Sequence, residues 1–300
     1  MNRVCLAADL GGTKIRTALI DDTGRELLGD TTPTQASAGG ARVLDNLVAA
    51  LTDLHARAGA PELAGIGISS AGVIDRHTGV VLDATNAIPG WAGTRIGDTL
   101  HHRFGLPVTV ENDVHAALRG ELWRGAAAGC EQVAMLTLGT GLGGALAIGG
   151  DIVTGSSHLA GHFGRQQIWS RHGGWMTLES LLSGTGLQRL HHLHGGQGES
   201  GEAVIAAVQA GEGAAMQALE EWLDLLAAQI TNLHWTYNPA RIVLGGGLIR
   251  VDWVWWPGLS LRLKADGIPV NVVPAKLGND AGVIGAACRL WAHLESPSCA

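Results

Sequence analysis

No stretch of the chain reaches the roughly 18 consecutive apolar residues that a membrane helix needs. The chain also enters an apolar run with an internal Asp almost at once, which is not the pattern of a signal peptide. Cysteine is scarce, and Cys5, Cys130, Cys288 and Cys299 show no paired spacing, which fits a reducing cytoplasm. There is no basic run: Lys+Arg 20 against Asp+Glu 27 gives a net charge of −7, which argues against a nucleic-acid surface. Glycine, at 45 residues, is abundant, but it follows no collagen or linker period and gathers in turns beside strands. What remains is an apolar content of 46% over 300 residues, enough for a large core and most naturally two domains. An acidic chain of this kind can still bind an anionic nucleotide, because backbone N–H groups and a metal ion supply local positive field.

The most informative stretch is LAADLGGTKIRTALI, residues 6–20. An apolar run ending in Asp9 turns through Gly11-Gly12-Thr13-Lys14 into a second apolar run, the pattern of a tight hairpin in which paired glycines allow left-handed dihedrals. With no bulky side chain at its apex, such a turn lets backbone N–H groups approach a phosphate. Asp9 and Thr13 suit a hydrated divalent ion and a phosphoryl oxygen; an ordinary hairpin is the alternative. MLTLGTGLGGALAIG, residues 135–149, repeats the pattern, with a Gly/Thr turn spanning Gly139–Gly144 and Thr137 opposite Asp9. Two such hairpins suggest a duplicated domain with a phosphate-binding turn in each half.

Between and beyond the hairpins the pattern alternates strands with helices, which favours an α/β layer architecture. A third strand is expected at 26–32, a helix over 41–58 carrying Val43, Leu47, Leu51 and Leu54, a buried strand at 64–69 and a loop at Ser70-Ala71-Gly72. Residues 80–91 read as a loop closing over something polar, with Asn86 as a hydroxyl contact or a plain turn residue. A helix at 95–104 and a strand at 108–110 lead into Glu111-Asn112-Asp113, at a strand end where α/β sheets bind ligands. Asp113 reads either as the N-cap of the helix 114–123 or as a base that takes the proton of an attacking alcohol, with Asn112 on a neighbouring hydroxyl. Residues 125–129 read as the hinge, dividing the chain into lobes 1–124 and 125–300. Residues 202–235 are helical with a break around Gly211 and Gly213, strands follow at 241–244 and 270–273, and the last helix spans about 279–292 with Asn279 or Asp280 as its cap. Gly245-Gly246-Gly247 would admit a flat group, a weak signal alone, and Trp253, Trp255 and Trp256 have no assignment.

Taken in order, DLGGTK from Asp9, ENDVHAA from Glu111, LGTGLGG from Leu138, LGGG from Leu244 and GNDAGVIGAA from Gly278 resemble the ROK family of bacterial sugar kinases and repressors. The resemblance covers essentially the whole chain. It implies an α/β, actin-like ATPase (ribonuclease H-like) fold with two lobes around a central nucleotide and sugar cleft, the final helix returning to the N-terminal lobe, and a homodimer. It also implies ATP and Mg²⁺, held by Asp9, Gly11, Gly12, Thr13, Lys14, Gly139, Thr140, Gly141 and Gly143, with the adenosine at Gly245, Gly246 and Gly247. Asp113 would be the catalytic base, and Gly72, Asn86, Asn112, Asp113, His162 and Glu179 would bind the sugar.

The departure from the family lies at 159–183. The family binds one structural zinc through a His and three Cys; here those positions fall on Arg165, Ser170, His172 and Thr177, far short of four ligands, so no zinc is expected. Trp169, Trp175 and Met176 are expected to hold the loop instead. His162, in LAGHFG, replaces the glutamate of the family's glucokinases, as in its acylmannosamine kinases; drift is the alternative. The expected reaction is transfer of the ATP γ-phosphoryl to the 6-hydroxyl of N-acetylmannosamine, with glucose and N-acetylglucosamine as competing substrates. A non-catalytic sugar sensor is the rival from another class; the family's repressors carry an N-terminal DNA-binding extension, for which a first strand at Val4 leaves no room.

Overall fold

A computed structural model describes residues 3–269 and 271–295. The chain divides into two compact units, the first made of the described residues up to Gly129, Thr154–Leu159 and the described residues from Asn279 on, the second of Cys130–Val153 and Ala160–Gly278.

In the first unit, β1 (Val4–Leu10), β2 (Lys14–Asp21) and β3 (Glu26–Pro33) form an antiparallel meander. Helix α1 (Gly40–Arg57) follows, and β4 (Leu63–Ser70) returns parallel to β1. A small hairpin of β5 (Val73–Asp75) and β6 (Val80–Asp83) comes next, so the first residues of the expected 80–91 loop are a strand instead. Helix α2 (Ile96–Phe104), strand β7 (Val108–Asn112) and helix α3 (Asp113–Arg124) complete this run, giving a sheet of order β3-β2-β1-β4-β7. Successive residues of a strand point to opposite faces, and β1 is apolar on both because both are covered. Leu6, Ala8 and Leu10 join Val43, Leu47, Leu51 and Leu54 of α1, while Cys5 and Ala7 join Val283, Ala286, Ala287 and Leu290 of the last helix, α8 (Ala281–Glu295). Each fully buried Leu contributes roughly 1.5–3 kcal/mol of transfer free energy.

Helix α8 approaches the first sheet and α3 unusually closely. A Cβ on Gly67 would lie 2.2 Å from the Ala286 carbonyl oxygen, one on Gly120 2.4 Å from that of Ala281, and one on Gly285 would fall inside that of Ala116. These three positions accept only glycine because backbone already fills the space of a side chain.

The second unit repeats the topology. β8 (Val133–Leu138), β9 (Leu142–Ile148) and β10 (Asp151–Ile152) form an antiparallel meander. The hairpin β11 (Gln167–Ser170) and β12 (Gly174–Thr177) precedes α4 (Gly184–Leu193), α5 (Gly201–Gln209) and α6 (Gly213–Tyr237). Strand β13 (Arg241–Gly245), α7 (Asp252–Ala265) and β14 (Asn271–Pro274) close the sheet in the order β10-β9-β8-β13-β14, with β8, β13 and β14 parallel. The expected break around Gly211 separates α5 from α6, and Asn238 ends α6 in a left-handed conformation. Val270, the expected start of the last strand, lies outside the described residues. Of the three unassigned tryptophans, Trp255 is core, its indole N–H donating to the Leu248 carbonyl at 3.1 Å, whereas Trp253 is exposed. Among the described residues no helix is long and apolar enough to cross a membrane.

Candidate active site

In the first unit the polar groups gather where β1, β4 and β7 end side by side. Register places Asp9 against Ser69 and Asn112 against Ser70. The Ser69 hydroxyl donates to Asp9 Oδ1 at 2.5 Å. Burial pushes the Asp9 carboxyl up, and the Ser69 hydrogen bond and the Lys14 charge offset this only in part. Gly282 of α8 is packed so close that a Cβ there would lie 2.5 Å from the Asp9 carboxyl carbon.

Asn112, not Asp113, caps α3: its Oδ1 accepts from the Val114 and His115 amides at 3.0 and 3.1 Å. Its Nδ2 donates to the Gly72 carbonyl at 2.8 Å and to Asp113 Oδ1 at 2.9 Å. All four hydrogen bonds an Asn can make are thus used within the protein, and together they aim the carboxyl of Asp113. That carboxyl is raised to about 6, first by burial and then by the Asp9 carboxylate, against the lowering effect of the Val114 amide and Asn112. Glu111, one residue earlier, has a different duty: it is buried and paired with Arg119 at 2.9 and 3.1 Å.

The turn after β1 closes with the Gly11 amide on the Lys14 carbonyl, and Thr34 braces it through the carbonyls of Gly11 and Thr13. Neither Gly11 nor Gly12 has a positive φ, so the expected left-handed dihedrals are absent. A Cβ on Gly11 would come no nearer than 3.6 Å to the rest of the protein, and one on Gly12 no nearer than 3.7 Å, to Ala87. The fold itself therefore tolerates side chains here, and what two glycines keep clear is the outside of the turn. Ala87 belongs to the loop of Asn86, which is exposed and anchored by Trp91, whose indole N–H donates to the Ala71 carbonyl at 3.1 Å.

In the second unit the matching turn is Gly139-Thr140-Gly141, between paired Leu138 and Leu142. Gly143 and Gly144, expected in the turn, lie in β9 instead, with Gly143 opposite Thr137. The start of α4 ties this turn down: the Gly184 amide donates to the Gly139 carbonyl at 2.7 Å and the Thr185 hydroxyl to that of Thr140 at 2.9 Å. Glu179 accepts from the Leu142 amide at 2.8 Å, and a Cβ on Gly141 would lie 2.5 Å from its carboxylate. His162 opens a 3₁₀ turn whose flanking glycines rest on β9, Gly161 against Ala145 and Gly164 against Leu142 and Glu179. Of the three consecutive glycines, Gly245 ends β13 beside Thr137 and Gly246 (φ 88°) crosses the Leu138 backbone, where a Cβ would meet it at 2.5 Å. Gly247 alone has open space around its Cβ direction.

The model of the ROK family matches residues 5–293 of this chain. The chain belongs to the ROK family. It is 34% identical to the bifunctional enzyme NanE/NanK of Brucella melitensis, over 94% of this chain and 53% of that protein, so it spans about half of that relative. Among solved structures it resembles a ROK-family glucokinase from Streptomyces griseus in complex with glucose and AMPPNP, with a TM-score of 0.78, 27% identity and coverage of 95% and 98% of the two chains. It also resembles a Listeria monocytogenes protein described as a candidate N-acetylmannosamine kinase, with a TM-score of 0.84, 25% identity and coverage of 98% and 100%. Within the family it has the two-lobed α/β fold of the ATP-dependent sugar kinases.

Among the described residues the positions of the family's zinc ligands hold no Cys-based cluster. Arg165 and Thr177 are exposed, Ser170 Oγ accepts from the His172 amide at 3.1 Å, and no thiol stands near them among the described residues. The expected tryptophan packing is also absent. Trp169 and Trp175 are each 69% exposed and meet edge to face, 5.8 Å apart, on the outside of the β11–β12 hairpin. Ile168 and Met176, on its other face, reach the core. Sequence reasoning also missed Ser69 and Gly282, whose roles depend on parallel strand register and on α8 reaching β1, neither of which a local pattern reports.

Proposed function

We propose that this chain transfers the γ-phosphoryl group of ATP to the 6-hydroxyl of N-acetylmannosamine. Asp113 carries the chemical step. A carboxyl raised to about 6 is largely ionised at neutral pH yet more basic than an ordinary aspartate, which suits the removal of an alcohol proton as the oxygen attacks. Asn112 acts through Asp113, holding its Oδ1 so that Oδ2 is left for the hydroxyl. Asp9, a half-buried oxygen donor near the end of β1, fits Mg²⁺, a hard cation that favours carboxylate and water. Bound there, Mg²⁺ would neutralise charge on the phosphate oxygens. The turns at Gly11, Gly12, Thr13 and Lys14 and at Gly139, Thr140 and Gly141 take the phosphates through the backbone, and the open side of Gly247 takes the adenosine.

Supporting the sugar assignment is the anchoring of His162 and Glu179 on the same end of β9, beside the second turn. A neutral imidazole donates or accepts where a carboxylate only accepts, and a donor that a bound sugar covers and leaves unpaired costs about 1–3 kcal/mol, a roughly 5–150-fold preference. The Listeria monocytogenes protein supports the same choice; the Streptomyces griseus glucokinase supports glucose. The test is a coupled ATP-consumption assay over glucose, N-acetylglucosamine, mannose and N-acetylmannosamine. N-acetylmannosamine is expected to have the highest kcat/KM, and His162→Glu to move preference toward glucose and N-acetylglucosamine. A tenfold preference of the wild type for glucose would refute the assignment. No ATP use with any sugar would point to a sensor.

A further inference from the structure

Beyond the kinase reaction, three side chains of the second unit converge at a place the proposed site does not use. Glu221 lies in the middle of α6 with its side chain only 6% exposed. His172, in the turn of the β11–β12 hairpin, brings Nε2 to 2.9 Å from both of its oxygens. His194, at the C-terminal cap of α4, brings Nε2 to 3.0 Å from Oε2. The two rings stand nearly perpendicular, with centroids 5.7 Å apart, so both edges face one carboxylate. Arg171, 65% exposed, pairs with the other oxygen, Oε1, at 3.1 Å.

We propose that His172, His194 and Glu221 bind one borderline-soft divalent transition-metal ion of the Zn²⁺ class, stapling the β11–β12 hairpin to α4 and α6. Two imidazole nitrogens and one carboxylate oxygen are a suitable donor set, and an open coordination position is left for water. All three ligand atoms lie within 4.8 Å of one another. Tetrahedral ligands on arms of about 2.1 Å stand about 3.4 Å apart, so the pairs at 2.9 to 3.0 Å need to open by only a few tenths of an ångström. Arg171 on Oε1 is the outer partner that orients a ligating carboxylate. The hairpin has need of such a staple, since its two tryptophans are exposed. This ligand set is distinct from the family's thiolates, and it departs from the sequence expectation of no zinc, which did not reach His194 and Glu221 because they lie far along the chain from His172.

Full-length protein stripped of metal by a chelator, without nucleotide, is titrated with Co²⁺ and then Zn²⁺. The expected result is one Co²⁺ per chain, with the intense visible absorption of a low-coordinate site, lost on adding Zn²⁺. His194→Ala and Glu221→Gln should each weaken binding at least roughly tenfold, the loss that even outer-shell partners bring. In the wild type, Zn²⁺ should also slow amide exchange across 167–177. This last readout stands if a variant fails to fold. Wild-type protein that takes up no stoichiometric Co²⁺ or Zn²⁺, or binding equally strong in both variants, overturns the proposal and leaves the three groups a metal-free hydrogen-bonded clamp.

Discussion

The two glycine turns look alike in sequence and are built differently. The turn at Gly11 and Gly12 leaves room for a side chain at its apex, and in the same unit the Asp9 and Asp113 carboxyls are pushed up by burial, Asp113 also by the Asp9 charge. The turn at Gly139–Gly141 is bound by the start of α4, and Glu179 beside it receives a backbone amide from Leu142. A buried polar group the fold leaves under-compensated points to a ligand, whereas one that braces a backbone amide is equally explained by folding. The first turn is thus the stronger functional statement, although the second has the richer glycine pattern.

The most forceful way to test that contrast is Asp113→Asn. If the groups beside the first turn serve chemistry, kcat should fall roughly 10²–10⁴-fold with sugar affinity within a few-fold and unfolding temperature little changed. A variant that keeps its kcat removes Asp113 as the base. The pH profile sharpens the same point. A base works only when ionised, and with a carboxyl raised to about 6, log(kcat/KM) should climb as pH rises to about 6 and level off above it. A limb near the ordinary aspartate value of about 4 would mean the carboxyl is open to water.

Smaller effects separate the turns from each other. In Gly141→Ala the new methyl meets the Glu179 carboxylate, which must swing away and release the Leu142 amide; the expected loss is that of one hydrogen bond, about 1 kcal/mol in chemical denaturation. Gly12→Ala should stay within about 0.5 kcal/mol of wild type and yet raise the KM for ATP. Equal destabilisation of the two variants would erase the distinction.

Much of this was legible in the sequence where the signal is local. The paired hairpins, the apolar stripe of α1 and the break before α6 follow from periodicity and glycine placement, and they carry the sheet topology of both units. Asp113 and Asp9 were legible as polar residues at the ends of apolar runs. The rest depends on partners distant in sequence. Glu111 joins Arg119 in an ion pair, Asn112 takes the cap because its side chain reaches two amides, and Trp169 faces outward because Ile168 and Met176 take the inner face of a two-stranded hairpin. Polar triplets and tryptophans announce that something is there; which way each side chain turns is decided by the neighbour it meets.

The close seat of α8 sets the order in which the protein can mature during synthesis. The first unit is discontinuous: its sheet and α3 are translated early, but the helix that covers one face of β1 and packs against Asp9 follows all of Cys130–Gly278. A nascent chain that has emerged only through α3 therefore exposes the apolar residues Cys5, Ala7, Ala18 and Ile20 to the chaperones that recognise such surfaces. The environment that tunes Asp9, and through it Asp113, is therefore complete only once α8 has been translated.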